Sequence, residues 1–253
     1  MKDLFPTGAA VFTHDFVVTP ESCDERAALS PFGVFTMFQS VAAQHAEALG
    51  VGGAAMAKRG AFWLTVHNRI DFCAPACLMQ TVRAGTWAEA CSPHDIRCYR
   101  SYTLTCGDTL VATGRTQWAV LGPAGKVVPF GQSGFPQDYP FPEQAAIAEK
   151  PQRFHDDFSP DEAAETYTVR STDIDMGRHM NNVAYVRLLL GRFPAKTLAS
   201  GRIRSIELHY GAPCLEGELL TVYQKQDGST VRFAVSKPDG KKAVLAAVRF
   251  AEP

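Results

Sequence analysis

Between Asp173 and Asn182 the chain places two carboxylates, an imidazole and two amides: Asp173, Asp175, His179, Asn181 and Asn182. The apolar run Val183-Ala184-Tyr185-Val186 follows at once. Groups that titrate or accept hydrogen bonds, set directly before residues that must be buried, read as a polar loop feeding a helix. Asn181 or Asn182 would be the N-cap, accepting from the first free backbone N–H groups. A helix N-terminus favours negative charge, so an acid, a base and an anion-stabilising dipole converge there. Any one of these residues alone is more often structural, because Asp and Asn side chains bond to nearby backbone in turns and caps. Capping uses one Asn, however, and leaves Asp175 and His179 unexplained. The combination reads as a catalytic site.

The pattern Asp-x-Asp-x-x-x-His-x-Asn-Asn-x-x-Tyr, from Asp173 to Tyr185, resembles the signature loop of the plant and bacterial acyl-acyl carrier protein thioesterases. A shorter form, Asp-x-x-Gly-His-x-Asn-Asn, belongs to thioesterases of the 4-hydroxybenzoyl-CoA type. The likeness extends to the first half through Phe38-Gln39, His45-Ala46, Leu49-Gly50, Phe62-Trp63-Leu64, Thr86-Trp87, Arg97-Cys98-Tyr99 and Gln117-Trp118. It implies an α+β protein of two tandem hotdog domains, each an antiparallel sheet wrapped around a central helix. It also implies hydrolysis of a fatty acyl thioester held on acyl carrier protein, without metal or cofactor. Asp175 would be general base or nucleophile, and His179 would activate water or hold Asp175 and substrate in place. Gly177, Asn181 and Asn182 would shape the loop and the oxyanion site, with backbone N–H groups near Asn181 to Val183 as donors.

Two positions depart from the plant pattern. Gly177 stands where plant enzymes have Asn, and Pro213-Cys214 where they have Glu-Cys. Cys214 is expected to be core rather than nucleophile, since no His lies beside it in sequence. His209 on the same strand is expected to be structural. An acyl-CoA thioesterase and a non-catalytic acyl or acyl-carrier binding module are the competing readings. A hotdog dehydratase fits the Asn-Asn loop less well.

The elements that must position this loop repeat in order. Val11 to Val18 reads as a strand, and Ser30-Pro31 opens a helix with Phe32, Phe35, Phe38, Val41 and Ala42 on one face, stopped by Gly50. Strands follow at 61–72, 80–90, 96–104 and 109–121. The second half has a strand at 165–170, a helix from about Asn182 to Phe193 ended by Pro194, and strands at 203–210, 219–226, 230–236 and 243–250. Asp227-Gly228 joins two of them as a hairpin turn. The first half shows no Asp-x-x-x-His before its helix, so it is expected to hold the acyl chain, with Phe35, Phe38 and Trp63 as candidate contacts. Seven of the 16 Pro lie between Pro123 and Pro160. That stretch offers Phe130, Phe135, Tyr139 and Phe141 as apolar anchors, and the expected division is therefore 1–130, a Pro-rich linker 131–160, and 161–253.

Composition sets the outer limits. With 46% apolar and 20% charged residues, 253 residues can bury a core, and a formal net charge of -1 gives no general attraction to nucleic acid or anionic membrane. Seven Cys without a signal-like start read as reduced thiols in the cytoplasm, and no run reaches membrane-span length. A homodimer is compatible with the sequence. From Arg170 to Arg204 seven basic residues (Arg170, Arg178, Arg187, Arg192, Lys196, Arg202 and Arg204) stand against Asp173 and Asp175. Flanking the loop, this excess suits an acidic carrier protein or the phosphates of coenzyme A.

Overall fold

Ser30 and Pro31 open the first helix as their types require. Ser30 Oγ accepts from the Gly33 N–H at 3.1 Å, and Pro31, with no N–H to leave unpaired, takes the first helical position. This helix, α1 (Pro31–Ala48), buries Val34, Phe35, Phe38, Val41 and His45, and ends where Gly50 turns left-handed at φ 69°. The computed structural model describes residues 5–6, 8 and 10–252; residues 1–4, 7, 9 and 253, at the outer ends of the two expected domains, lie outside it.

Strand β1 (Phe12–Val17) precedes α1, and a short helix α2 (Gly53–Lys58) follows it. Then come β2 (Phe62–Phe72), β3 (Thr81–Ala88), β4 (Cys98–Cys106) and β5 (Thr109–Leu121), with a two-residue strand β6 (Val127–Val128) against the end of β5. The order then returns as β7 (Ala163–Thr168), α3 (Asn182–Leu190), the short α4 (Ala195–Leu198), β8 (Ile203–Tyr210), β9 (Leu219–Asp227), β10 (Thr230–Ser236) and β11 (Lys242–Phe250). Helix α3 stops three residues before the expected Phe193. The Arg192 and Phe193 N–H groups bond three residues back, to Leu189 and Leu190, tightening the turn ahead of Pro194, which in turn caps α4.

All strand pairs are antiparallel, in the order β1-β3-β4-β5-β2-β8-β11-β10-β9-β7, with β6 on the side of β5. The two halves join where β2 meets β8, with Ile70 opposite Ile206 and Arg69 opposite Glu207. Alternation along the strands sends one set of side chains toward the helices. There Phe35 and Phe38 of α1, Tyr185 and Leu189 of α3, and Ile70, Tyr102, Ile206 and Phe233 of the sheet belong to one buried cluster. Each such side chain contributes roughly 1.5–3 kcal/mol on leaving water.

The opposite face carries the connection between halves. Ser101 Oγ accepts from Ala146 N–H at 2.9 Å, Trp87 Nε1 donates to the Gln144 carbonyl at 2.9 Å, and Glu207 Oε1 accepts from Gln152 N–H at 2.7 Å. Upstream, Phe130, Phe135, Tyr139 and Phe141 pack on one another, and the Tyr139 hydroxyl donates to the Ala10 carbonyl. Among the described residues no helix is long and apolar enough to cross a membrane.

Candidate active site

The polar loop is built from its backbone outward. Ile174 and Met180 form an antiparallel bridge, and Asp175 N–H donates to the His179 carbonyl at 3.1 Å. Arg178 N–H returns to the Asp175 carbonyl at 2.9 Å, which places Arg178 in the left-handed region at φ 62°. This tight turn puts Asp175 and His179 on its two arms. Asp173 serves the scaffold instead. Only 6% exposed, its Oδ2 accepts from the Tyr167 hydroxyl at 2.7 Å and from Arg170 N–H at 2.8 Å. Burial and the Asp173 carboxylate push the Tyr167 phenol up to about 12.

Asp175 and His179 are half-buried and face one another across Gly177. A Cβ on Gly177 would lie 2.9 Å from His179 Nε2 and 3.0 Å from Asp175 Oδ1, so both functional atoms converge on the space this glycine leaves open. Asp175 is fixed at both oxygens: Oδ1 accepts from Gly177 N–H at 2.8 Å, and Oδ2 from Asn181 Nδ2 at 3.3 Å. His179 Nδ1 lies 3.4 Å from the Met180 carbonyl. A carbonyl can only accept, so in the neutral ring Nδ1 carries the proton and Nε2 is the bare, basic nitrogen.

Asn181 is the N-cap of α3, its Oδ1 accepting from Val183 N–H at 2.8 Å. Its own N–H is taken by the Asp173 carbonyl at 2.8 Å. Of the amides from Asn181 to Val183, that leaves the Asn182 N–H without a partner among the described residues, at the positive end of α3. The Asn182 side chain reaches the other half, donating from Nδ2 to Thr65 Oγ1 on β2 at 2.8 Å. Met176, at the loop tip, lies against Gly53 at the start of α2. The site therefore sits on the seam between the halves, carried by the second and braced by the first.

Cys214 is fully buried, its backbone carbonyl accepting from Met180 N–H at 2.8 Å. Burial pushes its thiol up, against a hydrogen bond from Tyr185 that lowers it, so this sulfur is a protonated core group. Phe35 and Phe38 lie in the main core, where Phe38 stacks on Tyr102 at 4.9 Å. Trp63 belongs to a separate cluster with Val51, Met56 and Phe135, and its Nε1 donates to the Val51 carbonyl at 2.8 Å. Trp63 lies two residues before Thr65 on β2, the residue that meets Asn182.

The first half contains the same loop with different chemistry. Asp24 N–H donates to the Ala28 carbonyl at 2.8 Å, Ala27 N–H returns to the Asp24 carbonyl at 3.1 Å, and Ala27 sits at φ 57°. Asp24 Oδ1 accepts from Arg26 N–H at 2.8 Å, as Asp175 accepts from Gly177. Leu29 N–H meets the Ala76 carbonyl as Met180 meets that of Cys214. The carboxylate is thus present, but Ala28 stands where His179 stands, and this loop has no imidazole.

Comparison with known proteins adds to this geometry. A family model described as Acyl-ACP thioesterase N-terminal domain matches residues 9–121, and one described as Acyl-ACP thioesterase C-terminal domain matches residues 159–252. Among solved structures, an acyl-ACP thioesterase from Bacteroides thetaiotaomicron superposes with a TM-score of 0.85 at 23% identity, over 95% of this chain and 98% of its own. A 12:0-ACP thioesterase from Umbellularia californica gives 0.79 at 17% identity, over 98% of this chain and 100% of its own. At such identities the likeness speaks for the fold, the tandem hotdog. No curated protein matches the chain in sequence.

Proposed function

The chain belongs to the acyl-ACP thioesterase family, and from that premise we propose that it hydrolyses a fatty acyl thioester of acyl carrier protein at the Asp175–His179 loop. The observation that carries the reading is the convergence of His179 Nε2 and Asp175 Oδ1 over Gly177, on a loop that runs into α3 with the Asn182 N–H unpartnered among the described residues. His179 Nε2 takes a proton from water as the water oxygen attacks the thioester carbon. The carbonyl oxygen gains charge and is met by the Asn182 N–H and the α3 dipole. When the carbon–sulfur bond breaks, the imidazolium returns its proton to the leaving thiolate. The products are a free fatty acid and the carrier thiol. Asp175, held at both oxygens and facing the same space, balances the imidazolium charge.

In this division residues up to about 130 supply the acyl slot and 161 onward the chemistry, with Trp63 the proposed aromatic wall nearest the thioester. Arg178, Arg187 and Arg204 are exposed and, among the described residues, have no carboxylate partner, so they can receive an acidic carrier. Arg192 contributes less, because it pairs with Glu165 at 3.0 Å. All seven cysteines are free thiols, which supports a reducing, cytoplasmic setting. The test is steady-state hydrolysis of matched acyl-carrier and acyl-CoA substrates at several chain lengths and salt concentrations. Carrier substrates should be preferred, with Michaelis constants that rise with salt. Equal use of both, with no salt effect, would assign the enzyme to coenzyme A thioesters instead.

A further inference from the structure

Thr65 belongs to the half without the catalytic loop, yet it is built toward that loop. Strand β2 pairs with β5 in regular register up to Thr65 opposite Trp118, then shifts so that His67 faces Gln117. A bulge of this kind inserts a residue and re-aims the neighbouring side chains. The Thr65 hydroxyl meets Asn182 Nδ2 at 2.8 Å, across 117 residues of sequence. Asn182 is the first residue of α3, and its backbone N–H, unpartnered among the described residues, is the donor that the proposed reaction uses. Its backbone carbonyl accepts from the Tyr210 hydroxyl at 3.4 Å, a long contact. Thr65 thus supplies the short hydrogen bond on the Asn182 side chain.

We infer that Thr65 is a positioning residue: its hydroxyl anchors Asn182, and through it sets the angle at which the Asn182 N–H meets the thioester oxygen. The inference rests on the Asp175–His179 reading above. An oxyanion donor must be aimed at where charge develops, so a loosened Asn182 costs rate more than substrate binding.

The test compares Thr65→Val, which keeps the β-branched shape and loses the acceptor, with Thr65→Ser, which keeps it. Asn182→Ala, the Thr65→Val/Asn182→Ala double variant and His179→Ala complete the set, with kcat, KM and Tm read on one acyl-carrier substrate. Thr65→Val should lower kcat about tenfold with KM changed less than about twofold, and Thr65→Ser should restore kcat to within about threefold. The double variant should be no slower than the worse single variant, because the two residues act as one unit. Full kcat in Thr65→Val beside an inactive His179→Ala would overturn the inference and leave the site standing. Effects of Thr65→Val and Asn182→Ala that multiply would overturn it equally. Full kcat in both Thr65→Val and His179→Ala would bring down the site assignment and this inference with it. If the double variant does not fold, the Val-against-Ser contrast at Thr65 decides.

Discussion

Gly177 shows how one missing side chain shapes the site. The plant pattern that this loop resembles has Asn at the same point, yet here a Cβ would press between His179 Nε2 and Asp175 Oδ1. Gly177→Asn should therefore lower kcat/KM by roughly 10- to 100-fold on acyl-carrier substrate, the cost of displacing a reacting group by a fraction of its working distance. Unchanged or improved turnover would show that the loop opens to admit the amide. The two hydrogen bonds on Asp175 draw charge from its oxygens, so in the proposed mechanism it balances charge while water attacks. A single turnover in water enriched in heavy oxygen should place label in the released fatty acid and none in the Asp175 carboxyl. Label in Asp175 would make it the nucleophile.

At the scale of elements, α1 carries a buried imidazole that the sequence did not flag. His45, 5% exposed, stacks on Phe12 and meets Arg100 through Nδ1 at 2.8 Å, while Arg100 also donates to Thr86. Burial, then the Arg100 charge, lowers its pKa to about 3. The unfolded chain would take up this proton near pH 6.5 and the fold would not. Stability from His45 is therefore full above about 6.5 and lost as pH falls from there toward 3. Urea midpoints between pH 6.5 and 5 should fall for the wild type and fall less for His45→Gln; equal slopes would exclude His45 from the acid response. The strands, α1 and a cap at Asn181 or Asn182 are legible because β-branched runs, Ser-Pro and Asn-Asn state their roles locally, and the structure selects Asn181. The short helices α2 and α4 are not, being too brief for a hydrophobic period to register. The first-half copy of the loop was hidden for a chemical reason: Ala28 and Leu29 give no polar signal, although the backbone around Asp24 is the same. Nothing in either segment announces Thr65 against Asn182, since a strand bulge leaves little trace in residue types.

Across the whole molecule, the two halves act as one because the sheet runs through β2 and β8. Under that joint Glu207, 1% exposed, accepts from His67 at 2.9 Å, from Arg249 at 3.2 Å and from the Gln152 amide at 2.7 Å. Burial works to raise its pKa, but these hydrogen bonds outweigh it and hold the carboxyl below its ordinary value. Glu207→Ala leaves those donors unmatched and should cost about 2–3 kcal/mol of unfolding free energy in urea, with little change in KM. A loss under about 0.5 kcal/mol would mean that the linker is held by other contacts. On the proposed reading, chemistry resides in the second-half loop alone, braced by the first half. The most direct test is kcat of His179→Ala and of Asp24→Asn beside the wild type, on one acyl-carrier substrate with folding checked by circular dichroism. His179→Ala should lose 10²-fold or more, the usual range for a missing acid–base group, and Asp24→Asn should keep nearly full activity. A folded His179→Ala enzyme with wild-type turnover, or an inactive Asp24→Asn, would contradict it.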